Sequence, residues 1–274
     1  MDLSIINRIL RFRIAIQTIK DYWKTTLIFT LLFAGMSAMY SGMYPSFKDA
    51  LIEMMKSGAF DSFEQIFRGA QEMDTYIGFL NVEMYQIFFI LILAILFAFI
   101  AASIISKEIE SKTIDLLMSN PVSRKQIIIE RFIGLIPMML IINFASMLSI
   151  MGTTIAINES LDFYYLFLAH ATAIPYFLAV IAISILISVI IDEKMKASII
   201  MISLLIGMFV FETVSLISPD TENIGLISLT HYYNPLDTLK YGKIDGSGIA
   251  VLLGVMFFAL IISIIYFDRK NIKV

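Results

Sequence analysis

The 274-residue sequence has no cysteine, two histidines and one tryptophan. Without cysteine there can be no disulfide, no thiolate metal site and no cysteine nucleophile. With only His170 and His231, and no H-E-x-x-H or G-x-S-x-G run, a metal site or hydrolytic triad within the membrane lacks parts. No G-x-x-x-x-G-K-[ST] loop occurs, and Tyr241-Gly242-Lys243 stands outside any such frame, so the chain itself binds no nucleotide cofactor by that route. Charge is also scarce: 16% of residues are Asp, Glu, Lys or Arg against 59% hydrophobic, with mean hydropathy +0.85. Soluble domains carry roughly a quarter charged residues and about half apolar ones. A chain this apolar belongs in a bilayer, and no nucleic-acid partner is expected.

A span needs about 20 mostly apolar residues to cross roughly 30 Å of hydrocarbon. Six runs qualify: 25–47, 84–106, 132–158, 163–191, 197–219 (broken by Glu212) and 246–267. The expected fold class is therefore all-α, a polytopic membrane protein with six transmembrane helices. The first 24 residues mix arginines with isoleucines and lead into a span-length run, which does not fit a cleavable leader. Six spans put both termini on one side. Of the 20 Lys and Arg residues, only Lys48, Lys56, Arg68, Lys240 and Lys243 fall on the other side, so both termini are expected in the cytoplasm of a cell-membrane protein.

Between the spans the chain is patterned. Residues 1–24 place Ile5, Ile6, Ile9, Leu10, Ile16, Ile19 and Trp23 near one helical face, with Arg8, Arg11 and Lys20 elsewhere. That predicts an amphipathic helix in the plane of the lipid headgroups, or at least a positive anchor. The remaining domain, 25–274, holds an outer loop at 44–83, where helical spacing broken at Ser57-Gly58 predicts a small external helical pair. Segment 218–246, rich in Pro, Asn and Tyr, lies outside before the last span, with Tyr232, Tyr233 and Tyr241 suited to an aromatic belt.

The most sharply punctuated segment is cytoplasmic, at 107–126. Ser106 can cap a helix KEIESKTIDLLM that puts Ile109, Thr113, Leu116 and Leu117 on one side, and Pro121 ends it. Ser123 with Gln126 then forms a capping-box pair for the third span, and Val122 with Ile127 a hydrophobic staple. Arg124 and Lys125 occupy the first turn of that helix, where the macrodipole disfavours cations by a few tenths of a kcal/mol or more. Lipid phosphates or an acidic protein surface docking from the cytoplasm would compensate them. Leu116, Leu117 and Met118 would form an exposed apolar patch without such a partner.

The run KEIESKTIDLLMSNPVSRKQIIIERFIG resembles the segment after the second span in permease subunits of type-2 ATP-binding cassette (ABC) transporters. By position, Glu108 and Glu110 take the acidic places, Thr113 the threonine, Leu116 and Leu117 the paired leucines, and Pro121, Val122, Ser123 and Arg124 the turn. Lys112 stands where Gly is usual, and Arg131 where Lys is usual. Residues 228–245, SLTHYYNPLDTLKYGKID, also look like the stretch before the last span in that family. The resemblance implies that 107–126 is a coupling helix and turn. Its contact residues would be Glu108, Glu110, Thr113, Leu116, Leu117, Met118, Pro121, Ser123 and Arg124, seated on a cytoplasmic ABC ATPase subunit that carries the ATP and Mg. It further implies dimerisation with a second permease copy or a paralogue, and export of a lipid-like, peptide or drug-like cargo.

Within the spans, Asn143, His170 and Glu212 are candidate path residues, since ionisable and polar groups there are costly. Asn143 and His170 also suit an interhelical hydrogen bond, and Glu212 a carboxylate snorkelling to the outer surface. A proton-linked transporter or channel using Glu212 and His170, without an ATPase, is the alternative; a membrane scaffold that recruits a protein through 107–126 is another.

Overall fold

In the computed structural model, residues 12–57, 66–114, 122–217 and 219–271 are described. Six helices are long and apolar enough to cross a bilayer: the first span Arg13–Lys56, the second Tyr76–Glu110, the third Arg124–Ala156, the fourth Phe163–Ile190, the fifth Lys194–Ile217 and the sixth Gly246–Arg269. No strand occurs among the described residues. The fold is all-α and polytopic, as the hydropathy pattern predicts.

The first span is a single 44-residue helix, about 66 Å long at 1.5 Å per residue. It runs unbroken through Lys24, where a surface helix was expected to end, and through Pro45 into the region expected to begin an external pair. Residues 13–24 are thus the first turns of the span, while residues 1–11 lie outside the described residues. The cause lies in the third span. Ile14, Ala15 and Thr18 are buried against it, and a Cβ at Gly134 would stand 2.6 Å from Thr18 Cβ and 2.9 Å from the Ala15 carbonyl oxygen. The covered side is that of Ile14, Ala15 and Thr18, met by a glycine-permitted close approach, whereas Ile16, Ile19 and Trp23 of the face that reads as lipid-seeking stay exposed. Contacts at Ile14 with Glu130 and at Ala34 with Ser149 keep sequence separations of 116 and 115 residues, so the two helices run parallel and in register.

The second span is composite. Thr75 caps its outer turn by accepting from the Gly78 amide at 3.0 Å. Leu80–Leu93 then widens to π geometry, Ala94–Ser103 returns to α, and Ser106–Glu110 forms the cytoplasmic end. π-Helical turns are uncommon and are found mostly at functional sites. Here the wide turn buries Asn81, Tyr85 and Gln86 together with seven apolar residues, and Tyr176 of the fourth span donates to the Ile90 carbonyl at 2.6 Å.

The second and fourth spans form the centre, each 61% buried over its most apolar window, whereas the first, fifth and sixth are 17%, 22% and 28% buried. The third and sixth spans pack on the fourth, the fifth packs on the second and fourth, and the first packs on the third and the outer part of the second. On the outer side, the short helical turns Ala70–Glu72, Pro219–Ile227 and Leu229–Tyr232 and the helix Pro235–Tyr241 cover the ends of the bundle. Tyr233 is not at the lipid interface as expected. It is 3% exposed, stacks on Tyr176 and donates to the Ala169 carbonyl, whereas Tyr241 stays exposed.

Candidate functional site

The cytoplasmic face carries the first polar assembly. The helix expected to run from Lys107 to Met118 instead closes after Glu110. The Lys112 amide donates to Ile109 O and the Thr113 amide to Glu108 O, the paired bonds of a Schellman ending, with Lys112 in the left-handed region at φ 56°. That conformation favours glycine and disfavours other L-residues by about 1–2 kcal/mol, which gives a physical reason for glycine at this place and makes Lys112 a strained substitute. Ser106 is not the cap: its hydroxyl donates to Ala102 O within the helix, and Ser188 of the fourth span accepts from the Ile105 and Ser106 amides at 2.9 and 3.0 Å.

Four of the helix ends on this face are closed by a side chain from another span, with the sign the helix dipole demands. Glu130, 2% exposed, accepts from the Ile14 and Ala15 amides at 2.7 and 3.1 Å, capping the N-terminus of the first span. Glu110 accepts from the Lys194 amide at 2.9 Å, at the N-terminus of the fifth. Arg124 donates to the carbonyls of Phe267 (2.8 Å), Asp268 (3.3 Å) and Lys270 (2.7 Å), closing the C-terminus of the sixth, with its guanidinium over the Phe267 ring. Lys270 reaches the Val189 and Ile190 carbonyls and Asp192 at the C-terminus of the fourth. Ser123 accepts from the Gln126 amide at 3.2 Å, as the capping-box spacing predicts. The cation that seemed misplaced at Arg124 thus has its partner inside the chain.

Glu108 makes the deepest link. It is ion-paired to Arg131 of the third span, which also donates to Thr18 of the first at 2.9 Å. The Arg131 side chain is 7% exposed and the Glu108 side chain 18%. Glu108 Oε2 and Arg131 Nε are buried and take no further bond among the described residues. Both line a cavity of ≈ 430 Å³ that Asp21, Lys107, Ser111 and Thr113 also border. Of the residues expected to contact a partner, Glu108 and Glu110 face other spans, Thr113 is exposed, and Ser123 and Arg124 serve as caps. Leu116, Leu117, Met118 and Pro121 lie outside the described residues.

The second assembly lies mid-bundle and joins Asn143 to His170. Asn143 Nδ2 donates to the His170 carbonyl at 3.0 Å, so its Oδ1 is the atom facing His170 Nδ1, also at 3.0 Å. Nδ1 must then carry the proton, and Nε2, 3.0 Å from the Tyr85 hydroxyl, is the acceptor. All three side chains are buried and every ring nitrogen is satisfied by a neutral group. This is the interhelical clamp of the two sequence readings.

The third assembly sits at the outer side. Glu212, 8% exposed, pairs with Arg68 through Oε1 and with His231 Nδ1 through Oε2 at 3.0 Å. The Arg68 backbone is itself held from the second span: Gln86 accepts from its amide at 3.0 Å and donates to its carbonyl, to which Asn81 also donates. Glu212 therefore does not snorkel freely, and it does not meet His170. The Glu212–His170 pair required by a proton-linked alternative is not formed. Arg68, His231, Glu130 and Lys270 were not legible as site residues. Their only signal is that each is a charge or imidazole near a span end, and Glu130 also has a local partner in Gln126, 2.6 Å away.

Among the described residues no group of three or more His, Cys, Asp or Glu side chains could hold a metal ion. A family model described as "ABC-2 family transporter protein" matches residues 15–272, nearly the whole chain. No curated protein matches it.

Proposed function

The chain belongs to the ABC-2 transporter family, a family of membrane transport subunits, and we propose that it is the permease half of an ATP-driven exporter whose ATP hydrolysis is done by a separate cytoplasmic ATPase subunit. Segment 107–126 receives the ATPase, and two permease chains, alike or paralogous, enclose the path. The cargo is lipid-like, peptide or drug-like. Both termini face the cytoplasm, consistent with the Lys and Arg distribution.

One observation supports this reading above others: the segment that would receive the push is anchored to other spans by charge-assisted bonds, part-buried at Glu108–Arg131 and exposed at Glu110. Glu108 to Arg131 ties it to the third span and through Thr18 to the first, and Glu110 to Lys194 ties it to the fifth. A displacement at 107–114 is then passed to several spans together, since a packed, hydrogen-bonded assembly moves as a body rather than deforming continuously.

The test is a photo-crosslinker at Leu117 in native membranes, with captured species identified by mass spectrometry. Capture of a nucleotide-binding ATPase is the expected result; capture of lipid with no protein partner overturns the reading. In the same system, Leu117→Asp should abolish transport while leaving membrane insertion intact.

A further inference from the structure

The second span is buried on nearly every side, yet one narrow stripe of it is open. Between Leu80 and Leu93 only Glu83, Ile87, Leu91 and Ile92 are not buried. The stripe continues through Ile95, Leu96 and Phe99. The fourth span covers the opposite side, and the first and fifth pack on the second from either flank rather than on each other. In its outer part, over Leu80–Leu93, the stripe is thus the floor of a groove between the first and fifth spans, apolar except at Glu83.

Glu83 is half-buried and makes no hydrogen bond or ion pair among the described residues. It lies seven residues in from Tyr76, about 10 Å at 1.5 Å per residue. Tyr76 itself is level with Tyr44, whose ring centroid is 5.2 Å away. A bare carboxylate at that depth is costly unless a cation meets it. Among the described residues no cation is placed to do so. Arg68 is taken by Glu212, Lys240 by Glu72 at 2.7 Å, and Lys48 by Glu159 at 3.6 Å. Lys56 lies twelve residues beyond Tyr44, about 18 Å further out. Residues 25–47 and 197–219, which wall the groove, contain no Lys, Arg or His. A second copy presenting its own residues 83–99 to this groove would bring another Glu83 and no Lys, Arg or His.

We propose that Glu83 is a recognition site for an amphiphile bearing a protonated amine, whose apolar part lies along Ile87, Ile92 and Phe99. The proposal deepens the permease reading, and rests on it, by naming the chemistry of the cargo. The same chemistry occurs in amine-headed membrane lipids, so the amine comes either from a lipid headgroup or from a free amphiphile.

The experiment uses the full chain in nanodiscs of phosphatidylglycerol, which carries no amine, titrated with a pyrene-labelled dodecylamine and with its N-acetylated, uncharged twin. The parent should prefer the amine by about ten-fold, as an unpaired, partly desolvated carboxylate allows. Glu83→Gln, close in shape, should abolish that preference, and Glu83→Asp should retain it. Equal binding of both probes by the parent, or an undiminished preference in Glu83→Gln, overturns the proposal. Competition by added phosphatidylethanolamine would mark a headgroup as the source; no competition would mark a free amphiphile. No ATPase is needed in this assay. Loss of ATPase capture at Leu117 therefore counts against the permease reading alone, and loss of the amine preference against Glu83 alone.

Discussion

Arg124, in the first turn of the third span, donates to the carbonyl of Phe267 at 2.8 Å and so closes the last turn of the sixth. A cation placed against one helix dipole is thereby placed with another. The cost at the third span, a few tenths of a kcal/mol, is offset by three bonds to carbonyls at the end of the sixth. Arg124→Gln should raise hydrogen exchange at the last-turn amides of the sixth span and lower stability by about 1 kcal/mol. Unchanged exchange at 265–270 would show that the cap carries no weight.

The Glu108–Arg131 pair is buried enough that removing one partner strands the other. Glu108→Ala or Arg131→Ala alone should destabilise the chain by about 3–5 kcal/mol, whereas Glu108→Leu with Arg131→Met should be near neutral. Thermal unfolding in detergent on the single and double variants gives the coupling energy, and additive single effects would refute a direct pair.

At Lys112 the backbone asks for glycine. Lys112→Gly should raise stability by roughly 0.5–1 kcal/mol, the relief of a left-handed L-residue less the entropy of a freer unfolded chain, and Lys112→Val should lower it. The same unfolding assay decides both, and the opposite order would mean that φ 56° is not kept in the membrane-embedded chain.

Asp245 caps the sixth span from outside, accepting from the Ser247 and Gly248 amides at 3.0 and 3.1 Å. The Ser247 hydroxyl above all, then the Gly248 amide, hold its carboxyl below the usual carboxylate range. A depressed native pKa contributes stability that is present above the unfolded value of about 3.9 and is lost as pH falls through the native value. Asp245→Asn should remove that acid-side loss while keeping much of the cap. A pH titration of unfolding from 6 to 2.5 checks it, and identical curves for parent and variant would contradict it.

Hydropathy alone was enough for six helices and their order, because a bilayer allows no other way to satisfy the backbone of such runs. The Ser123 cap was legible for a similar reason, since capping depends on residues three apart. What sequence could not show is pairing across spans. Glu130 looks like one more interfacial acid until Ile14 is found 2.7 Å away, 116 residues earlier in the chain. Arg131 looks like a variant of a lysine until Glu108 and Thr18 close on it. The break at Lys112 was hidden because KEIESKTIDLLM has unbroken helical periodicity, and only the glycine expected there hinted at a turn. Glu212 was legible as costly, but its partners, Arg68 and His231, lie 144 and 19 residues away on outer segments whose local pattern does not reveal the pairing.

On the proposed function, the cytoplasmic end of the second span and the rest of the bundle move as one body when the ATPase closes. The chain has no cysteine, so spin labels can be set at will. Pulsed electron-paramagnetic distances should be taken on the permease–ATPase complex with and without ATP, between Ser111→Cys and Asp268→Cys within one chain and between Ser111→Cys sites in two chains. The account predicts an unchanged distance within the chain and a changed one between chains. A shift within the chain, with none between chains, would contradict it.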